Sequence, residues 1–258
     1  MSEQHIVTEI QDAVMTIRLN RADKKNALTS AMYEGLTAGF KAAAADPAVR
    51  VVLLTGSGDA FSSGNDLADF LKNTPTDAAN SPVMLFMAAM SQFPKPIVAA
   101  VNGLAIGVGV TMLLHCDLVY ASAKARFQMP FTNIGICPEF GSTLLLPAMM
   151  GHQRAAELTM LGEAFDAEKA KEAGIVNALV SEAELKTFAR DQALKLASQP
   201  PNALRTTKAL LKRWPQAALI EAIRVEAEHF MPMLKMPEAL EAMGAFMQKR
   251  KPDFSQFS

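Results

Sequence analysis

The sequence contains few of the residues that mark disulfide-stabilised, metal-bound or strongly charged proteins. Its 258 residues include two cysteines and four histidines, and 25 basic against 26 acidic residues give a formal net charge of −1. Cys116 and Cys137 could form at most one bridge, and neither lies in a CxxC or near histidines at metal-ligand spacing. We therefore expect two reduced thiols, no metal site and no global field that attracts nucleic acid.

The chain also lacks the signals of membrane insertion and export. No apolar run reaches the roughly 20 residues that span a bilayer. Residues 1–10, MSEQHIVTEI, show neither a basic segment followed by an apolar one nor an Arg/Ser-rich amphipathic transit pattern. We therefore expect a cytoplasmic protein without a membrane partner. Half of the residues are hydrophobic, which is enough to build a large core.

Four familiar motifs of nucleotide binding and hydrolysis are missing. The glycine pairs Gly56/Gly58 and Gly107/Gly109 lack the third glycine of the dinucleotide fingerprint GxGxxG. No GxxxxGK[ST], GxSxG or HExxH occurs anywhere in the chain. His115 is accordingly expected to be a core or helix-end residue rather than a catalytic one.

Strand-like and helix-like segments alternate along the first two thirds of the chain. Alternating apolar residues on both sides of Gln11-Asp12 predict a hairpin, and Thr29 or Ser30 could cap the helix that follows. Buried strands are predicted in RVVLLTG, PIVAAVNG and DLVYAS, and a last short strand is predicted in GIVNALV. Apolar strands separated by helices favour parallel pairing in a covered sheet, so the fold class is predicted to be α/β.

The last third of the chain has a helical pattern. Helices are predicted in SEAELKTFARDQALKLASQ, PNALRTTKALLKR, AALIEAIRVEAEHF and PEALEAMGAFMQKRK. The proline pair Pro200-Pro201 is the predicted boundary between a core of residues 1–199 and a helical region of residues 200–258.

Two glycine-bearing turns each follow a predicted buried strand. Their sequences are LLTGSGDAFSSGNDL and AAVNGLAIGVGVTMLL. Glycine permits close approach of the backbone, and the start of a helix leaves N–H groups without internal partners. Each turn could aim a donor at an oxyanion, although glycine in such turns is also common in α/β proteins without any catalytic role.

Five separated segments resemble one known family. NRADKKNAL, AFSSGNDL, KPIVAAVNGLAIGVG, CDLVYASAKARF and AFMQKRKPDF are similar, in order and across nearly the whole chain, to the crotonase or enoyl-CoA hydratase/isomerase superfamily. The resemblance implies a spiral of ββα repeats, C-terminal helices that form trimers or hexamers, and an acyl-CoA thioester as substrate without a separate cofactor. It also implies that the backbone N–H groups of Asn65 and Val108 hold the thioester oxygen.

Further residues are implied to contact coenzyme A. The resemblance places Arg21, Lys24 and Lys25 near its nucleotide end, and Phe230 and Lys249 at positions that in relatives reach the CoA of a neighbouring subunit. The alternatives are a solvated charge cluster, a core aromatic and a basic helix end.

One helix could line the pocket for the acyl chain. SPVMLFMAAMSQF contains Met84, Phe86, Met87 and Met90, which would suit a flexible apolar pocket. Apolar residues at helical spacing are, however, more often simple core.

A lone carboxylate, Glu139 in GICPEFGST, is the candidate catalytic residue. The two glutamates of the family's hydratases fall here on Thr111 and Phe131, which cannot act as an acid–base pair. Glu139 lies where the family's 3,2-enoyl-CoA isomerases carry their single glutamate. The resemblance thus implies an isomerase that moves a proton from C2 to C4 through a dienolate.

Other interpretations of the same residues remain open. Glu139 could instead be the acid at the start of a helix. The protein could be another crotonase-type enzyme, such as a hydratase with relocated groups, a lyase or a hydrolase, or a non-catalytic acyl-CoA-binding protein.

Overall fold

Two β-sheets form the centre of the protein, for which a computed structural model describes residues 4–66, 68–69, 80–248 and 250–257. The strands are β1 (Ile6–Gln11), β2 (Val14–Leu19), β3 (Val51–Gly56), β4 (Ala60–Ser62), β5 (Ile97–Val101), β6 (Leu104–Ile106), β7 (Leu118–Ser122), β8 (Arg126–Gln128), β9 (Phe165–Asp166) and β10 (Ala178–Val180). The α-helices are α1 (Ser30–Ala45), α2 (Pro82–Ser91), α3 (Val108–Thr111), α4 (Ser142–Met150), α5 (His152–Ala156), α6 (Ala167–Glu172), α7 (Leu185–Ala197), α8 (Pro201–Met233) and α9 (Pro237–Met247). Short 3₁₀ segments lie at Ala22–Lys24, Met112–His115 and Thr132–Ile134, and a π-helical turn at Glu157–Leu161.

The larger sheet has the strand order β1-β2-β3-β5-β7-β10. β1 and β2 pair antiparallel, which confirms the predicted hairpin. β2, β3, β5, β7 and β10 pair parallel, which confirms the parallel pairing expected for apolar strands separated by helices. The helix after the hairpin is capped by Thr29, whose hydroxyl accepts from the Met32 N–H.

The chain winds as a spiral between the two sheets. β3, β5 and β7 of the larger sheet are each followed directly by β4, β6 and β8, which lie in the smaller sheet of order β4-β6-β8-β9. This is the α/β spiral that the family resemblance implies. The strands of the smaller sheet were not predicted, because segments of two or three residues are too short to show alternation.

Helices cover the larger sheet on both faces. One face packs against Met32, Leu36 and Phe40 of α1 and against α2, and the other against Leu185 and Ala189 of α7. All six residues of β3 are buried as a result. This double cover explains why the central strands β3 and β5 are mostly apolar in the sequence.

The C-terminal region is dominated by one long helix, which differs from the two shorter helices predicted on either side of Pro215. α8 is 33 residues long and continues without a break through this proline. A proline inside a helix costs about 3 kcal/mol, but Leu219, Ile223 and Phe230 beyond it are buried in the core and stabilise the continued helix. α8 begins at Pro201, and the division into two regions there stays a prediction.

No helix in the described part of the chain is long and apolar enough to cross a bilayer.

Candidate active site

Glu139 lies in a buried turn just before α4, and its side chain points at α3. Only 7% of the residue is exposed, and the hydroxyl of Thr111 donates a hydrogen bond of 2.5 Å to its Oε1. Burial raises the pKa of Glu139 to about 8; the Thr111 hydrogen bond opposes the rise, and the nearby carboxylate of Glu226 adds to it. A carboxyl group with a pKa close to neutral pH is suited to accept and return a proton.

The turn after Glu139 has an unusual backbone. Phe140 and Gly141 both have positive φ, at 63° and 72°, and for a bulky residue such as Phe140 this conformation costs about 1–3 kcal/mol. His115 holds the turn in place, since its Nε2 lies 2.8 Å from the Phe140 carbonyl oxygen and its ring stacks on the phenyl ring at 3.9 Å. Burial lowers the pKa of His115 to about 3, so the neutral ring donates this bond, as expected of a core residue.

A second carboxylate, from Glu226 on α8, binds the start of α4. It accepts hydrogen bonds from the N–H groups of Gly141, at 2.5 Å, and Thr143, at 2.9 Å, and from the Thr143 hydroxyl, at 2.5 Å. The acid at the start of this helix is therefore Glu226 and not Glu139, whose side chain bonds Thr111 instead. This contact could not be predicted from local sequence pattern, because Glu226 lies 85 residues from Gly141 along the chain.

Glu139 lines a recess of about 520 Å³, counting the part that opens to solvent. Apart from Asn65, Ser81 and Glu139, its walls are apolar, and they come from α2, α8 and the Glu139 turn. The lining residues are Asn65, Ser81, Val83, Met84, Met87, Glu139, Phe140, Ile223, Ala227, Phe230 and Met231. Of the four α2 residues considered for an acyl pocket, Met84 and Met87 line the recess, whereas Phe86 and Met90 are fully buried core. Such a recess suits an apolar chain that carries one reactive polar group.

The first glycine-bearing turn presents a free backbone donor beside this recess. Gly64 O and Asp66 N–H both bond Leu28, so the N–H of Asn65 between them points away from Leu28. In the described ranges this N–H has no acceptor. The Tyr33 hydroxyl donates a hydrogen bond of 2.5 Å to the Asn65 side-chain oxygen and fixes that side chain.

The second glycine-bearing turn packs directly on the first. Val108 is the first residue of α3, and no acceptor for its N–H is found among the described residues. Gly64 has φ +89°, and a Cβ there would lie 2.9 Å from the Ile106 carbonyl oxygen; a Cβ on Gly109 would lie 2.7 Å from that of Ser62. These glycines let the two turns meet backbone to backbone. Asn65 lines the recess, while Val108 shares the four-residue helix α3 with the Glu139 partner Thr111.

The basic residues predicted to hold CoA lie on the loop beside the Asn65 turn. Arg21 is partly buried, pairs with Asp66 at 2.7 Å and also donates to the Ala27 carbonyl. Lys25 pairs with Asp59 at 2.5 Å on the surface, and Lys24 is exposed. Arg21 therefore braces the loop, while the two lysines extend from it.

The remaining predicted residues are placed as follows. Phe230 is buried and lines the recess of its own chain. Phe131 lies in the core and outside the recess lining. Lys249 is outside the described residues.

Both cysteines are free thiols, as the sequence predicted. Burial raises the pKa of Cys116 to about 12 and raises that of Cys137 as well, so neither is a reactive thiolate at neutral pH. Among the residues that the structure describes, no group of three or more His, Cys, Asp or Glu could hold a metal ion.

Comparison with known families and structures agrees with this architecture. The family model described as enoyl-CoA hydratase/isomerase matches residues 9–257. The chain belongs to this family. Its backbone also matches the solved structure of Pseudomonas aeruginosa OdaA, with a TM-score of 0.92 and 48% identity over 95% of this chain and 99% of that one. Membership makes the protein a crotonase-type acyl-CoA enzyme.

Curated relatives of similar identity include both a hydratase and an isomerase. The chain is 33% identical over 254 residues to 2,3-dehydroadipyl-CoA hydratase of Escherichia coli K12, covering 98% of this chain and 99% of the hydratase. It is 34% identical over 252 residues to enoyl-CoA delta isomerase 2 of Rattus norvegicus, covering 96% of this chain but 64% of that longer protein. Identity therefore does not choose between hydration and isomerisation, and the site residues must.

Proposed function

We propose that the protein is a 3,2-enoyl-CoA isomerase that converts 3-enoyl-CoA to 2-enoyl-CoA with Glu139 as its only base. One observation carries the proposal: Glu139 is buried in an apolar recess, and its partner is the hydroxyl of Thr111 rather than a second carboxylate. A raised pKa of about 8 gives this carboxyl group the proton affinity that shuttling a carbon-bound proton requires.

The proposed reaction uses the two free backbone donors. The N–H groups of Asn65 and Val108 bind the thioester oxygen, and Glu139 takes a proton from C2. The electron pair left behind spreads over a dienolate whose negative charge rests on the thioester oxygen. Glu139 then returns the proton to C4, so that the double bond ends between C2 and C3. Each oxyanion donor typically contributes about 2.7–4 kcal/mol to such a transition state.

Hydration of a 2-enoyl-CoA is disfavoured by the same residues. It would need one group to activate water and another to deliver a proton, and Thr111 and Phe131 supply neither. Glu226 is close to Glu139, but its two oxygens already accept three hydrogen bonds at the start of α4. The apolar walls also limit access of water to the acyl group.

We further propose that Lys24 and Lys25 contact the nucleotide end of CoA, with Arg21 bracing their loop, and that Phe230 packs against the acyl group. Lys249 is proposed to reach the CoA of a neighbouring subunit. None of these contacts requires a cofactor besides the CoA of the substrate.

A homotrimer or hexamer is the proposed assembly. Helix α8 exposes Leu211 and Trp214 at 76% and 84%, and α9 exposes Leu240 at 55%. The surface helices of a monomer normally expose fewer large apolar side chains than this. Light scattering at micromolar concentration should give a multiple of the chain mass, and a monomer would contradict the assembly.

The test of function is Glu139→Gln, which preserves side-chain size and removes the base. Isomerisation of 3-enoyl-CoA should fall toward the upper part of the range of about 10²–10⁴-fold that general bases contribute, while affinity for a saturated acyl-CoA should stay the same. Glu228→Gln is the control, because Glu228 is an exposed α8 acid paired only with Arg224 in the described structure. An active Glu139→Gln protein would refute the proposal.

A hydratase is the second candidate, favoured by the similarity to 2,3-dehydroadipyl-CoA hydratase. A panel of 2-enoyl-CoA and 3-enoyl-CoA substrates separates the two, since hydration comparable in rate to isomerisation would favour the hydratase. Tight binding of acyl-CoA without turnover of either would indicate a non-catalytic binding protein.

A further inference from the structure

We propose that Glu226 is a positioning residue for the Glu139 base. Its side chain extends from α8, binds the turn formed by residues 139–143, and so connects the base to the wall of the acyl recess. The inference rests on the proposed role of Glu139 as the base. Glu226 itself does not line the recess and acts through the turn.

The first support is the number and direction of the contacts. Oε2 accepts from the Gly141 N–H, and Oε1 accepts from both the N–H and the hydroxyl of Thr143. Three donors converge on one carboxylate that is 6% exposed. A buried carboxylate is stable only where donors of this kind replace water, so Glu226 and the turn hold each other in one arrangement.

The second support is that the turn needs such an anchor. Phe140 and Gly141 are both in the left-handed region, which a bulky side chain rarely adopts. His115 fixes the turn on one side through the Phe140 carbonyl. Glu226 fixes it on the other side through the N–H of the next residue, Gly141. Without this second hold, the turn would be fixed only by His115 and by the Thr111 hydrogen bond to the Glu139 side chain.

The third support is the position of Glu226 on α8. The same stretch of this helix supplies Ile223, Ala227, Phe230 and Met231 to the recess wall. Close packing accompanies the hydrogen bonds, because a Cβ on Gly141 would lie 2.3 Å from the Leu219 side chain of α8. Glu226 therefore links the wall of the acyl recess to the turn that carries the base.

Charge adds a signature that simple structural support would lack. The titratable groups facing Glu139 are Glu226 from α8, Tyr33 from α1 and Cys137 in its own segment, with the neutral His115 beside the turn. Burial is the main cause of the raised pKa of Glu139, and the Glu226 charge raises it further. Burial raises the pKa of Glu226 too, and its three donors oppose this by favouring the carboxylate. Removing the Glu226 charge should therefore lower the pKa of Glu139.

The experiment compares Glu226→Gln, Thr143→Ala and the exposed control Glu228→Gln. In Glu226→Gln the amide has one acceptor oxygen and cannot satisfy both sides of the turn. Amide hydrogen exchange at Gly141 and Thr143 should become faster, and the ¹³C NMR titration of the Glu139 carboxyl group should move to lower pH. Turnover should fall about 10- to 100-fold, as expected when a base is displaced by a fraction of an ångström, with acyl-CoA affinity nearly unchanged.

Thr143→Ala separates the loss of a hydrogen bond to the turn from the loss of the Glu226 charge. It also provides a test if Glu226→Gln does not fold. It removes one donor and leaves the Glu226 carboxylate, so exchange at Gly141 should become faster while the Glu139 titration does not move to lower pH. Glu228→Gln should match the wild-type protein in every measurement.

Two results distinguish failure of this inference from failure of the proposed function. Unchanged exchange at Gly141 and an unchanged Glu139 titration in Glu226→Gln would overturn the positioning role, whatever the enzyme catalyses. A wild-type protein that does not isomerise 3-enoyl-CoA would instead refute the function, and the exchange and titration data would still report whether Glu226 holds the turn.

Discussion

The hydroxyl of Thr111 donates to Oε1 of Glu139 across 2.5 Å, and this bond joins the two halves of the candidate site. Thr111 ends the helix α3 that Val108 begins. One helical turn therefore carries both a proposed oxyanion donor and the hydrogen-bond partner of the proposed base. Movement of α3 would disturb both parts of the site at once.

Thr111→Val should move the pH dependence of catalysis upward. The Thr111 hydrogen bond lowers the pKa of Glu139 against the larger effect of burial, so its loss should raise that pKa further. Because the base must be ionised to act, less of it is available at pH 7. Hydrogen bonds to charged groups are worth about 1.5–3 kcal/mol, so kcat/KM at pH 7 should fall by at least about tenfold.

The profile of kcat/KM against pH measures this shift. At high pH, where Glu139 is ionised in both proteins, the rates should converge. Thr159→Val is the matched control, because its hydroxyl bonds only the Ala155 carbonyl in the described structure, within its own helical turn. A Thr111→Val enzyme with the wild-type profile would show that this hydrogen bond does not tune the base.

The sequence predicted the central strands of the larger sheet well, because β3, β5 and β7 are mostly apolar runs of five or six residues. β3, β5 and β7 alternate with α1 and α2 as expected. It did not predict the smaller sheet, whose strands have two or three residues, nor the continuity of α8 through Pro215. In both cases contacts between distant segments decide the structure, and local pattern carries little of that information.

The candidate site shows the same division. Glu139 and the two glycine turns are visible as motifs, and the structure brings Asn65 and Glu139 into one recess. The contact of Glu226 with Gly141 joins residues far apart in sequence, and an acid on a helix rich in charged residues has no local mark that sets it apart. The positive φ of Phe140 is equally invisible, because nothing in the sequence favours it.

Glu139 should also make folding stability depend on pH. Its pKa is raised from 4.5 in the reference state to about 8 in the folded protein. Between these values the folded state binds a proton that the unfolded state has released, so the free energy of unfolding falls as pH rises through this window. The slope from one such group reaches at most about 1.4 kcal/mol per pH unit.

Glu139→Gln has no proton to lose and should show a flatter dependence, becoming more stable than the wild-type protein toward the upper end of the window. Urea unfolding of both proteins across this range measures the difference. His115, whose pKa is lowered to about 3, changes the free energy of unfolding equally in both proteins. Its effect therefore cancels in the difference between them. Parallel stability curves would mean that Glu139 is ionised in the folded protein at much lower pH.

Gly64→Ala tests the proposed oxyanion donor at Asn65. A methyl group there would lie 2.9 Å from the Ile106 carbonyl oxygen, at a residue whose φ is +89°. The two turns must then separate, and the N–H of Asn65 leaves its position. Loss of one oxyanion donor typically lowers kcat by about 10²–10³-fold, and a fall of this size is expected with a smaller change in KM.

Gly174→Ala is the control for backbone strain. Gly174 has a similar φ of +79°, and an added Cβ would meet nothing within 4 Å. Both variants pay for an alanine in the left-handed region, about 1–2 kcal/mol, but only Gly64→Ala forces the turns apart. Thermal unfolding of the two variants accounts for the shared loss of stability, and kcat then isolates the effect at the site. If both variants kept wild-type turnover, the N–H of Asn65 would not be the group that stabilises the dienolate.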